Sequence, residues 1–247
     1  METIDYYDYW NKKREKKRFL LDREVKSLDL IKRRAKKEGS FLDAGCGNGD
    51  FLLVLKKKFA GMKLKGLDYS KREVDEAKRR GLDAERVDFE KGTNLKKESF
   101  DFAYAGEVIE HLYNPDYFLE QMNSSLKKGG YLLITTPNLC AWYNRILMLF
   151  GVQPLFLEPS TKSKFVGSGF LKRFKKEPQP VGHIRIFTYA GLKDLLEMHG
   201  FRIVESKGAI YDEGFPKKIW PLDKIFNSFP RLASHFVILA RKEKSLD

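Results

Sequence analysis

Two cysteines, Cys46 and Cys140, are all the sequence holds, and they form no C-x-x-C pair. That excludes a disulfide scaffold and a zinc ribbon, and it fits a reducing cytoplasm. No uncharged apolar run reaches the ~20 residues of a membrane span, so no transmembrane segment is expected. The start, METIDYYDYWNKKREKKR, is acidic-aromatic and then basic, without the apolar stretch of a secretory signal. Neither a G-x-x-x-x-G-K-[ST] phosphate loop nor a G-x-G-x-x-G pyrophosphate motif occurs. Internal repeats and low-complexity tracts are also missing.

What is present is a globular composition. With 42% hydrophobic and 13% aromatic residues in 247, the chain can bury a sizeable core. The formal net charge is +13, and it is unevenly placed. Residues 1–37 and 161–185 each carry a net +6, while residues 38–160 are at −1. A focused positive field attracts nucleic acid, phosphorylated metabolites or an anionic membrane surface. A solvated face on a lysine-rich protein has the same count.

Strand and helix patterns alternate. Residues 8–37 read as a helix, with Leu20, Leu21, Val25, Leu28 and Ile31 at helical spacing. Strands are expected at 40–45, 62–69, 82–89, 99–106 and 129–138, with helices at 50–59, 70–81 and 115–127 between them. Ser70 and Gly81 cap the second of these helices, and Pro115 opens the third. After a proline-rich stretch come a helix at 188–200 and strands at 201–210 and 235–242. The pattern predicts an α/β fold with a parallel sheet covered on both faces. One domain spans 1–247, with an N-terminal helical segment (1–37) and a cap inserted at 139–185.

The strongest local signal is Asp43-Ala-Gly45-Cys46-Gly47-Asn-Gly49, between a strand and a helix. An open α/β sheet binds ligands at such a turn, and glycines there let a ligand approach the backbone. Asp68 ends the second strand, where an acid can accept both hydroxyls of a ribose, and Tyr69 follows it. Asp88 ends the third and can accept from an exocyclic adenine amine, with Phe89 beside the ring. Gly106 ends the fourth. A nicotinamide dehydrogenase is disfavoured by the G-x-G-x-G spacing.

FLDAGCGNGDF, LKGLDYS, RVDFE, AGEVIEHL and KKGGYLLITTPN stand in this order. Over residues 38–138 the chain closely resembles the class I S-adenosylmethionine-dependent methyltransferases, and more loosely from GHIRIFTYAGLKDLLEMHGF to the end. The resemblance implies a Rossmann-like, doubly wound, seven-stranded sheet with an antiparallel last strand, HFVILARK. It implies S-adenosylmethionine as cofactor and S-adenosylhomocysteine as product. Gly45 and Gly47 would cradle the cofactor, with Asp68 on the ribose and Asp88 on the adenine. Asp43, Cys46, Tyr69, Phe89 and Gly106 complete the expected cofactor-binding set.

Glu107, Glu110 and His111 follow the fourth strand at i, i+3 and i+4, one face of a helical turn. With His183 from the end of the cap segment, they form a candidate site for a divalent metal such as Mg²⁺ or Mn²⁺. The layout resembles that of the ubiquinone-pathway O-methyltransferases and the small-RNA 2′-O-methyltransferases, in which a metal would polarise the acceptor hydroxyl. Without a metal, His111 or His183 is the candidate general base, at a pKa suited to neutral pH, with Glu110 as the third catalytic candidate. His199 and His235 read as structural.

Segment 139–157 is apolar with only Arg145 charged, and the basic 161–185 follows it. This pairing fits a lid over a lipophilic, anionic small-molecule acceptor, a peripheral contact with an anionic membrane, or a lid packed on its own domain. Tyr6, Tyr7, Tyr9 and Trp10 either close over the cofactor or anchor the first helix. Three functions compete: O-methylation of a small or lipophilic acceptor, methylation of RNA, and a cofactor-binding regulator without catalysis. No RRM or KH signature supports RNA, and the intact site residues speak against a regulator.

Overall fold

The computed structural model describes residues 20–174, 177–212 and 216–246. Tyr6, Tyr7, Tyr9 and Trp10 lie outside the described residues.

The chain order is α1 (Asp22–Arg34), β1 (Ser40–Ala44), α2 (Asp50–Lys58), β2 (Lys63–Asp68), α3 (Lys71–Arg79), β3 (Ala84–Arg86) and β4 (Phe100–Gly106). There follow a 3₁₀ turn (Ile109–His111), α4 (Pro115–Ser125), β5 (Leu126–Pro137) and α5 (Trp142–Leu149). A second 3₁₀ turn (Gly169–Phe174) precedes α6 (Tyr189–Met198) and β6 (Phe201–Ala209). The chain closes with a 3₁₀ turn (Lys217–Ile219), α7 (Trp220–Asn227) and β7 (His235–Lys242). Seven strands form one sheet in the order β3-β2-β1-β4-β5-β7-β6. The neighbours from β3 to β5 are parallel, and β7 runs antiparallel to both β5 and β6. The expected seven-stranded sheet with an antiparallel last strand is therefore present.

Apolar side chains fill both faces. Phe118, Met122, Leu192 and Leu196 from α4 and α6 pack on one. Leu28, Ile31, Phe51, Leu55 and Val74 from α1, α2 and α3 pack on the other. Local signals set the helix ends. Ser70 Oγ accepts from Glu73 N at 3.4 Å and Gly81 leaves α3 at φ +74°. Asn114 Oδ1 accepts from Tyr117 N at 3.0 Å, with Pro115 at the first position of α4. The order of strands reverses between β1 and β4, so their C-terminal ends frame a crevice.

Three expectations change. The third strand shortens to Ala84–Arg86. Leu20 and Val25 face solvent, 37% and 51% exposed, while Arg23 and Glu24 of the same helix are buried; the helix turns a charged edge inward at its N-terminus. α7 is not among the expected elements: it is short, Pro221 stands in its first turn, and its apolar Leu222 and Ile225 face solvent instead of the core.

The 139–185 segment has a small apolar centre of Ala141, Tyr143, Leu147 and Val152, with Leu155, Phe156 and Leu171 against it. Asp223 of α7 ties this segment to the sheet. Its carboxylate accepts from Trp142 Nε1 at 2.8 Å, Tyr211 N at 2.8 Å and Ser234 Oγ at 2.8 Å. Among the described residues no helix is long and apolar enough to cross a membrane.

Candidate active site

The glycine turn leaves β1 at the crevice. Gly45 has φ +89°, and a Cβ there would run into Val108. Gly47 also has positive φ, +52°, but its Cβ position is open, with Glu73 Oε2 nearest at 3.8 Å. The turn therefore needs glycine at both positions and presents bare backbone outward at the second. Gly47 N donates to Asp68 Oδ2 at 2.8 Å, and Ser70 N donates to Oδ1 at 2.9 Å. Burial raises the Asp68 carboxyl above its ordinary value, against the pull of these backbone amides. Arg80 braces the turn from α3, with Nη1 2.9 Å from Asn48 O and 2.7 Å from Asp50 Oδ1.

The other expected cofactor residues are placed as follows. Asp43 is buried at the end of β1. Asp88 accepts from Glu90 N at 3.1 Å and sits 3.4 Å from Lys91 Nζ. Tyr69 is half-buried, with the Arg86 guanidinium 5.8 Å from its ring centre. Phe89 points into the core, edge-on to Phe118 at 5.2 Å. The Cys46 thiol is buried, and burial, then the charges of Asp43 and Asp68, push its pKa far up. It is a packing group, not a nucleophile. Gly106 leaves room for the Tyr104 hydroxyl, which a Cβ would strike. Gly47 and Asp68 thus meet at the C-terminal ends of β1 and β2, and Asp88 follows β3 at the same end of the sheet; donors and acceptors of these kinds could hold an adenosine-containing ligand.

The turn after β4 separates its acids. Glu107 has φ +57°, off the helical path, and only Ile109–His111 forms the 3₁₀ turn. The Glu107 carboxylate accepts from Thr135 Oγ1 at 2.9 Å, lies 3.6 Å from Arg23 Nε and 3.4 Å from His235 Nε2. It is drawn away from the set it was expected to join. Glu110, His111 and His183 do converge, with one ligand atom from each within 4.8 Å of the others. Of the four residues expected on spacing, three come together in this structure.

Each member of that trio is locally fixed. Glu110 is fully buried; Thr136 Oγ1 donates to its Oε2 at 2.9 Å, and its Oε1 has no hydrogen-bond partner among the described residues. Burial, and next the Glu107 charge, hold its carboxyl well above the usual range. His111 Nδ1 is 3.0 Å from Gly182 O, and His183 Nδ1 is 3.0 Å from Phe156 O. A carbonyl only accepts, so both imidazoles carry hydrogen on Nδ1 and a lone pair on Nε2. Burial, then the neighbouring His183, pushes His111 down to about 3. Burial pushes His183 down to about 4. The expectation of a base tuned to neutral pH is corrected: desolvation leaves two neutral imidazoles that hold protons weakly.

Several residues that sequence reasoning passed over line the same place. His235, read as structural, meets Glu107 and stacks near Phe156 (5.3 Å) and Tyr211 (5.8 Å). Arg23 arrives from α1, and Thr135 and Thr136 from the end of β5. Their positions depend on strand order, which no local motif records. His199 is structural as read: its Nδ1 is 2.9 Å from Leu195 O within its own helix.

The family model for a methyltransferase domain matches residues 14–206. A pavine N-methyltransferase from Thalictrum flavum is 32% identical over 118 residues, 45% of this chain and 33% of that protein. A ubiquinone biosynthesis O-methyltransferase from Pelagibacter ubique is 30% identical over 127 residues, 50% of each chain. The chain thus spans at most half the length of these two curated relatives. The fold is also similar to the crystal structure of an S-adenosylmethionine-dependent methyltransferase from Methanosarcina mazei. There the TM-score is 0.62 at 19% identity, over 86% of this chain and 96% of that one.

Proposed function

The chain belongs to the methyltransferase-domain family of class I S-adenosylmethionine-dependent methyltransferases, and from that premise we propose that it O-methylates a small or lipophilic acceptor bearing an anionic group. The observation that carries this reading is the convergence of Glu110, His111 and His183 beside the crevice. Gly45–Gly47, Asp68 and Asp88 hold the cofactor. Bound there, S-adenosylmethionine supplies a methyl on a sulfonium: the acceptor oxygen bonds to it as the C–S bond breaks, and S-adenosylhomocysteine leaves. The chain's own task is to orient the acceptor oxygen and take or weaken the hold on its proton.

Two neutral imidazoles with lone pairs on Nε2 and a carboxyl with an orphaned oxygen suit a divalent cation. A protonated Glu110 beside imidazoles near 3 and 4 suits proton abstraction at neutral pH less well. Two nitrogen donors favour Mn²⁺ over the oxygen-seeking Mg²⁺. A cation there would act as a Lewis acid on the acceptor hydroxyl.

The cap supports a lipophilic, anionic acceptor. Leu149 and Phe150 are 84% and 75% exposed at the tip of α5. Lys162, Lys172 and Arg173 are exposed nearby in sequence. The same surface suits a peripheral contact with anionic lipid. RNA remains the second reading, on the basic segments and the Glu107–His111 layout with its later histidine. A methyl-transfer screen with labelled cofactor against metabolites, lipid extract and RNA, with and without chelator, tests all of these. Chelator-sensitive label in a lipid or small-molecule fraction is the expected result. Label only in RNA, or none in any pool, would overturn the acceptor assignment.

A further inference from the structure

Glu158 belongs to no motif and lies in the cap, away from the chemistry in sequence. Its carboxylate collects three successive backbone amides. Val181 N lies 2.8 Å from Oε1 and 3.0 Å from Oε2; Gly182 N lies 2.8 Å and His183 N 3.2 Å from Oε2. Gly182 has φ +90°. Consecutive N–H groups turned to one side in this way form a nest, a concavity for an anion. Here a side chain of the same chain fills it.

The nest is joined to both catalytic imidazoles. Gly182 gives its N–H to Glu158 and takes the Nδ1 hydrogen of His111 on its carbonyl. His183 gives its backbone N–H to Glu158 and its Nδ1 hydrogen to Phe156 O, two residues before Glu158. Phe156 has φ +73°, unfavourable for a side chain with a Cβ, so that carbonyl is held in place against local strain. From the other side, Ile184 N and Arg185 N donate to Glu110 O at 2.8 and 3.0 Å. The 181–185 loop is therefore clasped between residues 156–158 and the turn that carries Glu110 and His111.

We infer that Glu158 is the positioning residue of the site. By filling the nest it fixes the tautomers of both His111 and His183, so that both present Nε2 lone pairs. Its action on the imidazoles runs through the backbone of Gly182 and His183 and the neighbouring Phe156 carbonyl. A carboxylate is the right group, because three donors need a charged acceptor with several lone pairs. The same contacts couple the cap to the histidines: displacing residues 156–158 withdraws the anchor of one imidazole and loosens that of the other. The inference rests on His111 and His183 being the working pair.

The test is the ¹⁵N spectrum of the imidazoles in the full chain, assigned with His111→Ala and His183→Ala. Wild type should show the Nδ1–H pattern for both. In Glu158→Ala both should move to a mixture of tautomers, and formate, an anion that fits the vacated nest, should restore the pattern. Glu158→Gln keeps the size and loses the charge, so it should also disturb both imidazoles, and it serves if the alanine variant does not fold. Turnover should fall about tenfold or more, as for other residues that orient a ligand or base, with S-adenosylhomocysteine affinity unchanged. Unaltered imidazole spectra in the folded variants, whatever their melting temperature, would overturn the inference. If the spectra shift but His111→Ala keeps full turnover, the clasp stands and the catalytic reading of the histidines falls.

Discussion

Asp68 Oδ2 accepts the backbone N–H of Gly47 at 2.8 Å, so the acid expected to hold a ribose also fixes the shape of the turn that cradles the ligand. On the proposed cofactor assignment, one carboxylate serves both halves of the site. Asp68→Ala should weaken S-adenosylhomocysteine binding by about 1.5–3 kcal/mol, the range for lost hydrogen bonds to a charged group. Isothermal calorimetry measures this directly, and unchanged affinity would remove Asp68 from the site.

Glu107 and Glu110 should behave differently toward a cation. Glu110 has a carboxyl oxygen without a partner, whereas Glu107 is engaged by Thr135, Arg23 and His235. Mn²⁺ titration followed by electron paramagnetic resonance should show affinity reduced about tenfold or more in Glu110→Gln. In Glu107→Gln it should stay within about twofold of wild type. Equal losses in both variants would restore the four-residue set that the sequence spacing predicts.

The basic cap segment should act on the acceptor and not on the cofactor. Reversing the charge of Lys172, Arg173, Lys175 and Lys176 should raise acceptor KM and flatten its salt dependence. Calorimetry should find cofactor affinity unaltered. An unchanged KM and salt response would mean that these side chains only solvate the surface.

At the N-terminal end of the central strand β4, Asp101 gives a pH signature unrelated to the site. Burial raises its carboxyl, but Lys127 Nζ at 2.7 Å, Lys36 Nζ at 2.8 Å and Ser40 more than offset this and hold it well below the usual carboxylate range. A depressed pKa stabilises the fold above the unfolded value of about 4 and ceases to do so as pH falls through the folded value. Asp101→Asn should therefore cost about 1–2 kcal/mol at neutral pH, and the gap should close in acid. Urea titrations at several pH values would show it; a gap that widens toward low pH would contradict it.

The legible parts of this protein were local ones. A glycine turn, an acid at a strand end and a serine before a helix each follow from a few adjacent residues, and Gly45, Asp68 and Ser70 stand where that reading put them. Glu107 departs from its spacing because φ +57° takes it off the turn shared by Glu110 and His111. The histidine pKa values depend on burial, which a pattern of residue types does not record. His235, Arg23 and Glu158 join the site only through strand order and loop docking, so no spacing rule reaches them. α7 is short, and its apolar Leu222 and Ile225 face solvent, so burial of a core face does not single it out.

On the proposed mechanism, His111 and His183 act on the acceptor while the glycine turn and the acids hold the cofactor. Single-turnover methyl transfer in His111→Ala and His183→Ala, beside calorimetric cofactor affinity for each, tests it most directly. The expected result is a fall in rate of about 10²–10⁴-fold in both variants, with cofactor dissociation constants within about twofold of wild type. Near-normal rates in both would contradict it and leave orientation of the two substrates as the source of catalysis.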